Sequence, residues 1–125
     1  MRKIEIFCEE LCLQAELNQN PSAAKIWESL PIEGHVNRWG DEIYFDIPIQ
    51  MDSETDAREI MEVGELAYWP EGSAFCIFFG PTPVSTDERP RAYSPVNIIG
   101  MVLDDATQLQ AVQANSLVRV EKISP

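Results

Sequence analysis

The segment that decides the fold runs from residue 64 to residue 83 and reads GELAYWPEGSAFCIFFGPTP. It holds two apolar stretches, LAYW and AFCIFF, with turn-forming residues between and around them. Short aromatic or β-branched stretches bounded by Gly, Pro and Ser are typical of strands. Because successive side chains of a strand point to opposite faces, we expect Tyr68 and Trp69 to lie on opposite faces of a sheet, and likewise Phe75 and Phe78.

The rest of the chain shows the same period-two pattern, which is typical of half-buried strands. The alternating apolar positions are Leu11, Leu13, Ala15 and Leu17 in one segment and Ile43, Phe45, Ile47 and Ile49 in another, with Glu42, Tyr44 and Asp46 on the opposite face of the second. Strands are predicted over residues 11–17, 42–49, 66–69, 74–79, 96–103 and 117–122. Many short strands with few helices predict a closed or nearly closed β-barrel in a single domain, residues 1–125.

Two short helices are predicted between the strands. Asn20 is a good N-cap and Pro21 a good first helical residue, and Pro31 ends that segment. The apolar face of this helix consists of Ala23, Ile26, Trp27 and Leu30. A second helix is predicted from Ala106 to Ala114, capped by Asp105, with Leu109 and Val112 inward.

The chain of 125 residues carries 21 acidic and 9 basic residues, for a formal charge of −12. Phosphate binding depends on Lys and Arg, so we expect neither nucleic acid nor an anionic membrane as a partner. The acids concentrate between residues 52 and 71, and we interpret that stretch as a solvated connection. Neither an export signal nor a membrane span is visible in the sequence, which favours a cytoplasmic protein.

The three cysteines, Cys8, Cys12 and Cys76, lie in apolar stretches. Their odd number suits a reducing compartment and buried structural thiols better than a disulfide framework. A metal site of these three with His35, the single histidine, is the alternative, but its ligand spacing is not typical of one. We therefore expect no metal. Without a phosphate-binding glycine loop or a dinucleotide fingerprint in the sequence, we also expect no cofactor.

The 64–83 segment, with residues 37–45 (NRWGDEIYF) before it and residues 96–100 (VNIIG) after it, is similar to the small cyclophilin-like family of bacterial and archaeal proteins. The resemblance spans nearly the whole chain. It implies a closed cyclophilin-like β-barrel of about eight strands with one or two short helices.

True cyclophilins are prolyl isomerases, and part of their pattern has counterparts in this chain. Residues 72–77 (GSAFCI) are similar to the cyclophilin segment Gly-Ser-Gln-Phe-Phe-Ile, and residues 98–102 (IIGMV) resemble its Val-Phe-Gly-x-Val strand. Arg38 lies where cyclophilins carry Phe-His-Arg, so the resemblance implies Arg38 as a candidate catalytic residue. The Phe-x-x-Gln-Gly-Gly that follows there is replaced by residues 41–46 (DEIYFD).

A prolyl isomerase must lower a barrier of ~18–20 kcal/mol. A cationic donor near the imide nitrogen, here Arg38, stabilises the deconjugated transition state. However, Asp41, Glu42 and Asp46 are close in sequence, and an arginine beside carboxylates usually forms a surface ion pair. An isomerase with an incomplete active site is therefore the alternative function.

The leading hypothesis is a protein that binds a peptide or small molecule on the outer face of the barrel. If Ile43, Phe45 and Ile47 fill the interior, Tyr44 points outward. Aromatic side chains with a few polar groups suit a ligand pocket. The candidate ligand-binding residues are Arg38, Trp39, Glu42, Tyr44, Tyr68, Trp69, Phe75, Phe78 and Asn97. A third possibility is an interaction subunit with an exposed edge strand, and a homo-oligomer is open.

Overall fold

The computed structural model describes residues 2–123 and is mainly β, with 46% of residues in strands and 12% in helices. The mainly β class is therefore confirmed. The strands are β1 (Arg2–Cys8), β2 (Leu11–Leu17), β3 (Ile32–His35), β4 (Asn37–Arg38), β5 (Glu42–Asp46), β6 (Arg58–Ile60), β7 (Glu65–Trp69), β8 (Ala74–Phe78), β9 (Arg91–Val102) and β10 (Leu117–Lys122). The helices are α1 (Pro21–Ser29) and a 3₁₀ helix (Ala106–Ala111). Neither of these helices is long enough and apolar enough to cross a bilayer.

The strands form one sheet in the order β3-β10-β1-β2-β9-β7-β8-β5-β4, and β6 pairs separately with β9. Within residues 2–123, no ladder of hydrogen bonds joins the edge strands β3 and β4, so the sheet is not closed as predicted. Its two ends nevertheless approach each other. Gly34 of β3 packs against Phe45 of β5, where a Cβ on Gly34 would lie 3.0 Å from the Phe45 ring. The two ends of the sheet therefore contact each other at this point without pairing.

Both predicted helices are present, the second in a shorter form. The Asn20 side chain accepts a hydrogen bond of 2.8 Å from the Ala23 amide and caps α1. Asp105 caps the 3₁₀ helix through the Thr107 amide at 3.0 Å. That helix ends at Ala111 rather than at Ala114, although Leu109 and Val112 are buried as predicted.

The sheet packs a hydrophobic cluster on each of its two faces. The main core lies on the inner face and includes Tyr68 and Phe75, the latter stacked on Phe45 with ring centroids 5.3 Å apart. A smaller cluster lies on the opposite, outer face. Its buried members are Met61, Ala67, Ala74, Cys76, Phe78, Ala92 and Val96, with Tyr44, Trp69 and Ile98 packed against them. The expected split of Tyr68 from Trp69, and of Phe75 from Phe78, is confirmed.

The acidic stretch between residues 52 and 71 is more than a solvated connection, and that interpretation is wrong for part of it. Glu65 is buried and accepts two hydrogen bonds from the Arg58 guanidinium, at 2.9 and 2.7 Å. Glu54 bonds to Ser22 through its carboxylate and to Asn97 through its amide. The Arg58–Glu65 contacts join β6 to β7, and the Glu54 contacts join the chain before β6 to α1 and β9. A buried carboxylate needs such hydrogen-bonded partners.

The cysteines do not gather with His35. Cys8 belongs to the main core and Cys76 to the outer cluster, on opposite faces of the sheet. Cys12 is exposed, contrary to the expectation of buried thiols, and its Sγ donates to Glu5 at 3.3 Å. Among residues 2–123, no three or more His, Cys, Asp or Glu side chains are close enough together to hold a metal ion.

Candidate functional site

A cleft of about 150 Å³ opens on the outer face of the sheet, beside the smaller hydrophobic cluster. The cleft is defined by its lining residues, which come from β5, β7, β9 and the turn before β5. They are Trp39, Glu42, Tyr44, Trp69, Ala92, Tyr93 and Val96. Four of the seven are aromatic, and Glu42 is the single residue among them that carries a carboxyl group.

A two-residue turn brings Trp39 and Glu42 to the cleft together. The amide of Trp39 donates to the Glu42 carbonyl at 2.9 Å, and the Glu42 amide donates back at 3.2 Å. Gly40 sits in the turn with a φ of +60°, and a Cβ there would lie 2.8 Å from the Pro83 ring. Both the left-handed backbone and the close approach of Pro83 require glycine at this position.

The opposite wall comes from the first part of β9, which β6 supports. Arg58 of β6 is paired with Val96, and Ile60 with Arg91, with an irregularity between them. The Arg91 guanidinium also forms an ion pair with Glu59 at 3.0 Å. This pairing holds Ala92, Tyr93 and Val96 over the outer face.

The four aromatic rings of the cleft meet one another edge to face. Trp69 is 6.1 Å from Tyr44 and 6.2 Å from Tyr93, with both pairs of ring planes at 77°. Tyr93 also meets Trp39 at 6.2 Å and 70°. The Trp69 indole N–H donates to the Ser94 hydroxyl at 2.6 Å, which fixes its orientation. Edge-to-face contacts of this kind stabilise aromatic pairs, so the walls are preformed.

Glu42 is the electrostatic centre of the cleft. Its side chain lies among aromatic rings, and the residue is only 6% exposed. Burial raises the pKa of the Glu42 carboxyl to about 8, and the neighbouring Cys76 thiol opposes that rise only in part. Burial in an apolar environment disfavours the charged form. At neutral pH the carboxyl is therefore largely protonated and can donate a hydrogen bond to a ligand.

The two ionisable neighbours of Glu42 are also held neutral. Burial, followed by the charges of Glu42, Cys76 and Asp46, raises the pKa of the Tyr44 phenol above its usual range. Burial and then Glu42 raise the pKa of the Cys76 thiol well above its ordinary value. Glu42 is thus the group of this set that titrates near neutral pH.

Four of the predicted site residues, Trp39, Glu42, Tyr44 and Trp69, line the cleft together. Arg38 is not among the residues that line the cleft. Its guanidinium donates to the carbonyls of Gly40, Gln110 and Val112 at 2.6, 3.1 and 2.8 Å. It also pairs with Asp41 at 3.2 Å and lies over the Phe79 ring. These contacts tie the turn before β5 to the end of the 3₁₀ helix.

The other predicted residues have structural partners. The Tyr68 hydroxyl lies on the inner side and donates to the Ile49 carbonyl at 2.7 Å. Phe75 packs in the main core, and Phe78 is fully buried in the outer cluster. Asn97 is buried and bonds to Ser22, to the Asp52 carbonyl and to the Glu54 amide. None of these four lines the cleft.

Three lining residues, Ala92, Tyr93 and Val96, were not predicted as part of the site. The predicted strand starts at Val96, and the proline-rich residues 82–95 carry no strand prediction. The strand in fact begins at Arg91, and Pro95 lies within the irregular part of its pairing with β6. Proline is tolerated in a strand at such irregularities. The available signal in the sequence was a tyrosine, Tyr93, between the small residues Ala92 and Ser94.

The comparisons with known proteins agree with this architecture. The model of the cyclophilin-like family matches residues 2–121. A hypothetical protein from Archaeoglobus fulgidus, known from its solution structure, is similar to the chain with a TM-score of 0.81 and 35% identity, over 98% of this chain and 95% of that one. A search of curated proteins found no significant match. The chain therefore belongs to the cyclophilin-like family.

Proposed function

We propose that this protein binds a small molecule or a peptide side chain in the cleft on the outer face of the sheet. The observation that carries the proposal is the position of Glu42, a buried carboxyl surrounded by four aromatic rings in an open cleft. An apolar cleft with few polar groups is the usual form of a small-molecule site. The rings supply contact area, and Glu42 supplies a directed polar contact.

The energetics of Glu42 support a functional reason for its position. Burying a carboxyl with no ionic partner destabilises the folded protein, whereas an apolar residue on the same strand would stabilise it. Strongly shifted carboxyls of this kind concentrate at functional sites. Among residues 2–123, the neighbouring Cys76 thiol is the group that opposes the rise in the Glu42 pKa, and a thiol is a weak donor.

Prolyl isomerase activity, the alternative function, depended on Arg38 as the cationic donor. The contacts of Arg38 with three carbonyls and Asp41 leave it outside the cleft lining. No basic side chain lines the cleft within the described residues. A binding role is therefore the function that the geometry favours.

The free thiols support a cytoplasmic location for this binding protein. Cys8, Cys12 and Cys76 all carry free thiols, and Cys12 is exposed to solvent. Exposed free thiols persist in reducing compartments and are oxidised outside them. The cytoplasm is such a compartment.

A fragment screen followed by NMR of the indole N–H signals tests the proposal. Of the three tryptophans, Trp39 and Trp69 line the cleft, whereas Trp27 lies in α1 against the main core. We expect fragments that bind to shift the Trp39 and Trp69 signals and to leave the Trp27 signal in place. In Trp69→Ala the fragment-induced shift of the remaining cleft signal, that of Trp39, should be lost. In Trp27→Phe the shifts of both cleft signals should remain. A library that perturbs neither cleft indole would overturn the proposed function.

A further inference from the structure

The geometry of the four rings suits a compact, positively charged group. Trp69 stands nearly perpendicular to both Tyr44 and Tyr93, and Tyr93 stands nearly perpendicular to Trp39. Rings joined at such angles form corners, so they surround a guest on several sides. A cavity of about 150 Å³ corresponds to about five water molecules at ~30 Å³ each, which is enough for a small ammonium headgroup.

The charge around the cleft is also complementary to a cation. Glu42 is the only acidic residue in the described lining, and no lysine or arginine is present there. The faces of Trp and Tyr rings attract cations through their quadrupoles, most strongly where water is excluded. The formal charge of −12 adds a field that concentrates cations near the surface.

The neighbouring charged groups leave this complementarity in place. On β5, Tyr44 and Asp46 lie near Glu42, and on β8 the nearest group is the Cys76 thiol. The cations of the adjoining elements are already paired: Arg38 of β4 with Asp41, Arg91 of β9 with Glu59, and Arg58 of β6 with the Glu65 carboxylate of β7. Tyr93 is the remaining ionisable group of the lining. No side chain of the described residues therefore supplies Glu42 with a counter-ion.

Resting on the proposed function, we propose that the ligand is an organic ammonium ion, whose methylated nitrogen lies against Trp39, Tyr44, Trp69 and Tyr93 with the Glu42 carboxylate as its counter-ion. Methylated ammonium groups are weakly hydrated and bind in aromatic surroundings. A divalent metal ion needs several oxygen, nitrogen or sulfur ligands, and the described residues offer no such group.

Binding of such a cation is coupled to release of a proton. In the free protein at neutral pH, Glu42 carries a proton because burial raises the pKa of its carboxyl to about 8. A bound cation favours the carboxylate, and the proton leaves to solvent. One proton is released for each ammonium ion bound, and no covalent bond to the ligand forms or breaks. The affinity therefore increases with pH until Glu42 is deprotonated in the free protein.

NMR titration with choline tests this inference, with 3,3-dimethyl-1-butanol as the control probe. The two molecules have the same shape, but the second is uncharged, and choline keeps its charge at every pH. We expect choline to shift the Trp39 and Trp69 indole signals, and the neutral probe to bind at least about tenfold more weakly, the cost of losing cation–π contacts. Choline affinity should increase about tenfold per pH unit below the pKa of Glu42 and then level off.

Two variants separate Glu42 from the general field of the protein, and above about pH 8 each removes one negative charge. Glu42→Gln keeps the shape and the hydrogen-bonding group but removes the counter-ion, so choline binding should weaken about tenfold or more and lose its pH dependence. Asp46→Asn removes an exposed carboxylate from the same strand. This variant should retain both the choline affinity and its pH dependence. An unchanged Trp27 signal confirms that each variant is folded.

The outcomes distinguish this inference from the proposed function on which it rests. Equal binding of choline and the neutral probe, or choline binding that is independent of pH, overturns the ammonium ion but leaves the cleft as a binding site. The same titration with a trimethyllysine peptide and with free trimethyllysine amide shows which kind of molecule carries the ammonium group. Tighter binding of the peptide indicates a modified protein, and equal binding indicates a free metabolite.

Discussion

The Glu42 carboxyl of β5 and the Cys76 thiol of β8 lie beside each other on the outer face of the sheet, and burial keeps both largely neutral at pH 7. Burial raises the pKa of Glu42 to about 8, while burial and Glu42 together raise that of Cys76 well above its ordinary value. Two uncharged but ionisable groups thus lie where the cleft meets the outer hydrophobic cluster, of which Cys76 is a buried member. Their neutrality makes the stability of the protein sensitive to pH.

Stability should fall as the pH is raised from about 4.5 to about 8 because of Glu42. In this range the unfolded chain loses the Glu42 proton whereas the folded protein keeps it, so the folded state binds more protons. At ~1.4 kcal/mol for each pH unit, the loss is on the order of 5 kcal/mol. Urea denaturation of the wild type and of Glu42→Gln at several pH values measures it. A wild-type pH dependence that persists in Glu42→Gln would contradict the assignment, and Asp46→Asn serves as the control.

Removing the Arg58 side chain should leave Glu65 as a buried carboxylate without an ionic partner. Glu65 has an 8% exposed side chain, whereas Arg58 is 44% exposed, so solvent screens the pair in part. We expect Arg58→Met to lower the free energy of unfolding by about 2 kcal/mol. Arg89→Met breaks the solvent-exposed pair with Asp87 and should change the free energy of unfolding much less.

Adding Glu65→Gln to Arg58→Met checks the cause of that loss. If the unpaired charge is responsible, the double variant should recover part of the stability in chemical denaturation. A double variant as unstable as the sum of the two single changes would show that lost packing, and not charge, dominates.

Arg38→Ala should destabilise the protein without affecting the cleft. The guanidinium holds three carbonyls and Asp41 between two separate parts of the chain. Losing these contacts is expected to cost about 2 kcal/mol in thermal or urea unfolding, and Arg38→Lys should recover little, since lysine lacks the planar donors. Fragment-induced shifts of the Trp39 and Trp69 indoles should be unchanged. Isomerase activity on an X-Pro peptide that disappears in Arg38→Ala would instead assign Arg38 a catalytic role.

Native alkylation should label one of the three cysteines. Cys12 is exposed, whereas Cys8 and Cys76 are buried. Partial desolvation and the nearby Glu5 raise the pKa of the Cys12 thiol. Because the thiolate is the nucleophile, iodoacetamide should react with Cys12 more slowly than with a free cysteine. Mass spectrometry should find one adduct on the folded protein and three after denaturation. Labelling of Cys76 in the native state would mean that the outer cluster opens.

The alternation of apolar and polar residues was enough to place half of the cleft. Because side chains alternate along a strand, the apolar positions Ile43 and Phe45 determine that Glu42 and Tyr44 share the opposite face. The same rule put Tyr68 and Trp69 on opposite faces, but it did not indicate which of the two lies outside. What the sequence did not indicate is that the outer face is itself covered, so that Glu42 is buried rather than solvated.

The remaining part of the site depends on contacts between distant segments. Tyr93 reaches the cleft because β6 pairs with β9, and three residues of β6 within an acidic stretch carry little strand signal. Arg38 was expected near the ligand because it lies where cyclophilins carry Phe-His-Arg. Its actual partners, Gln110 and Val112, lie more than 70 residues away, and sequence patterns do not indicate such pairings.

The two walls of the cleft belong to parts of the molecule with different tolerance to mutation. Glu42, Tyr44 and Trp69 stand on strands whose other faces build the main core, so changes there put folding at risk. Tyr93 is 69% exposed and stands on the segment that β6 supports. Surface substitutions of that kind usually change stability little. Substitutions at position 93 and its neighbours can therefore change the shape of the cleft while the scaffold stays the same, and this wall is the natural place to redesign it.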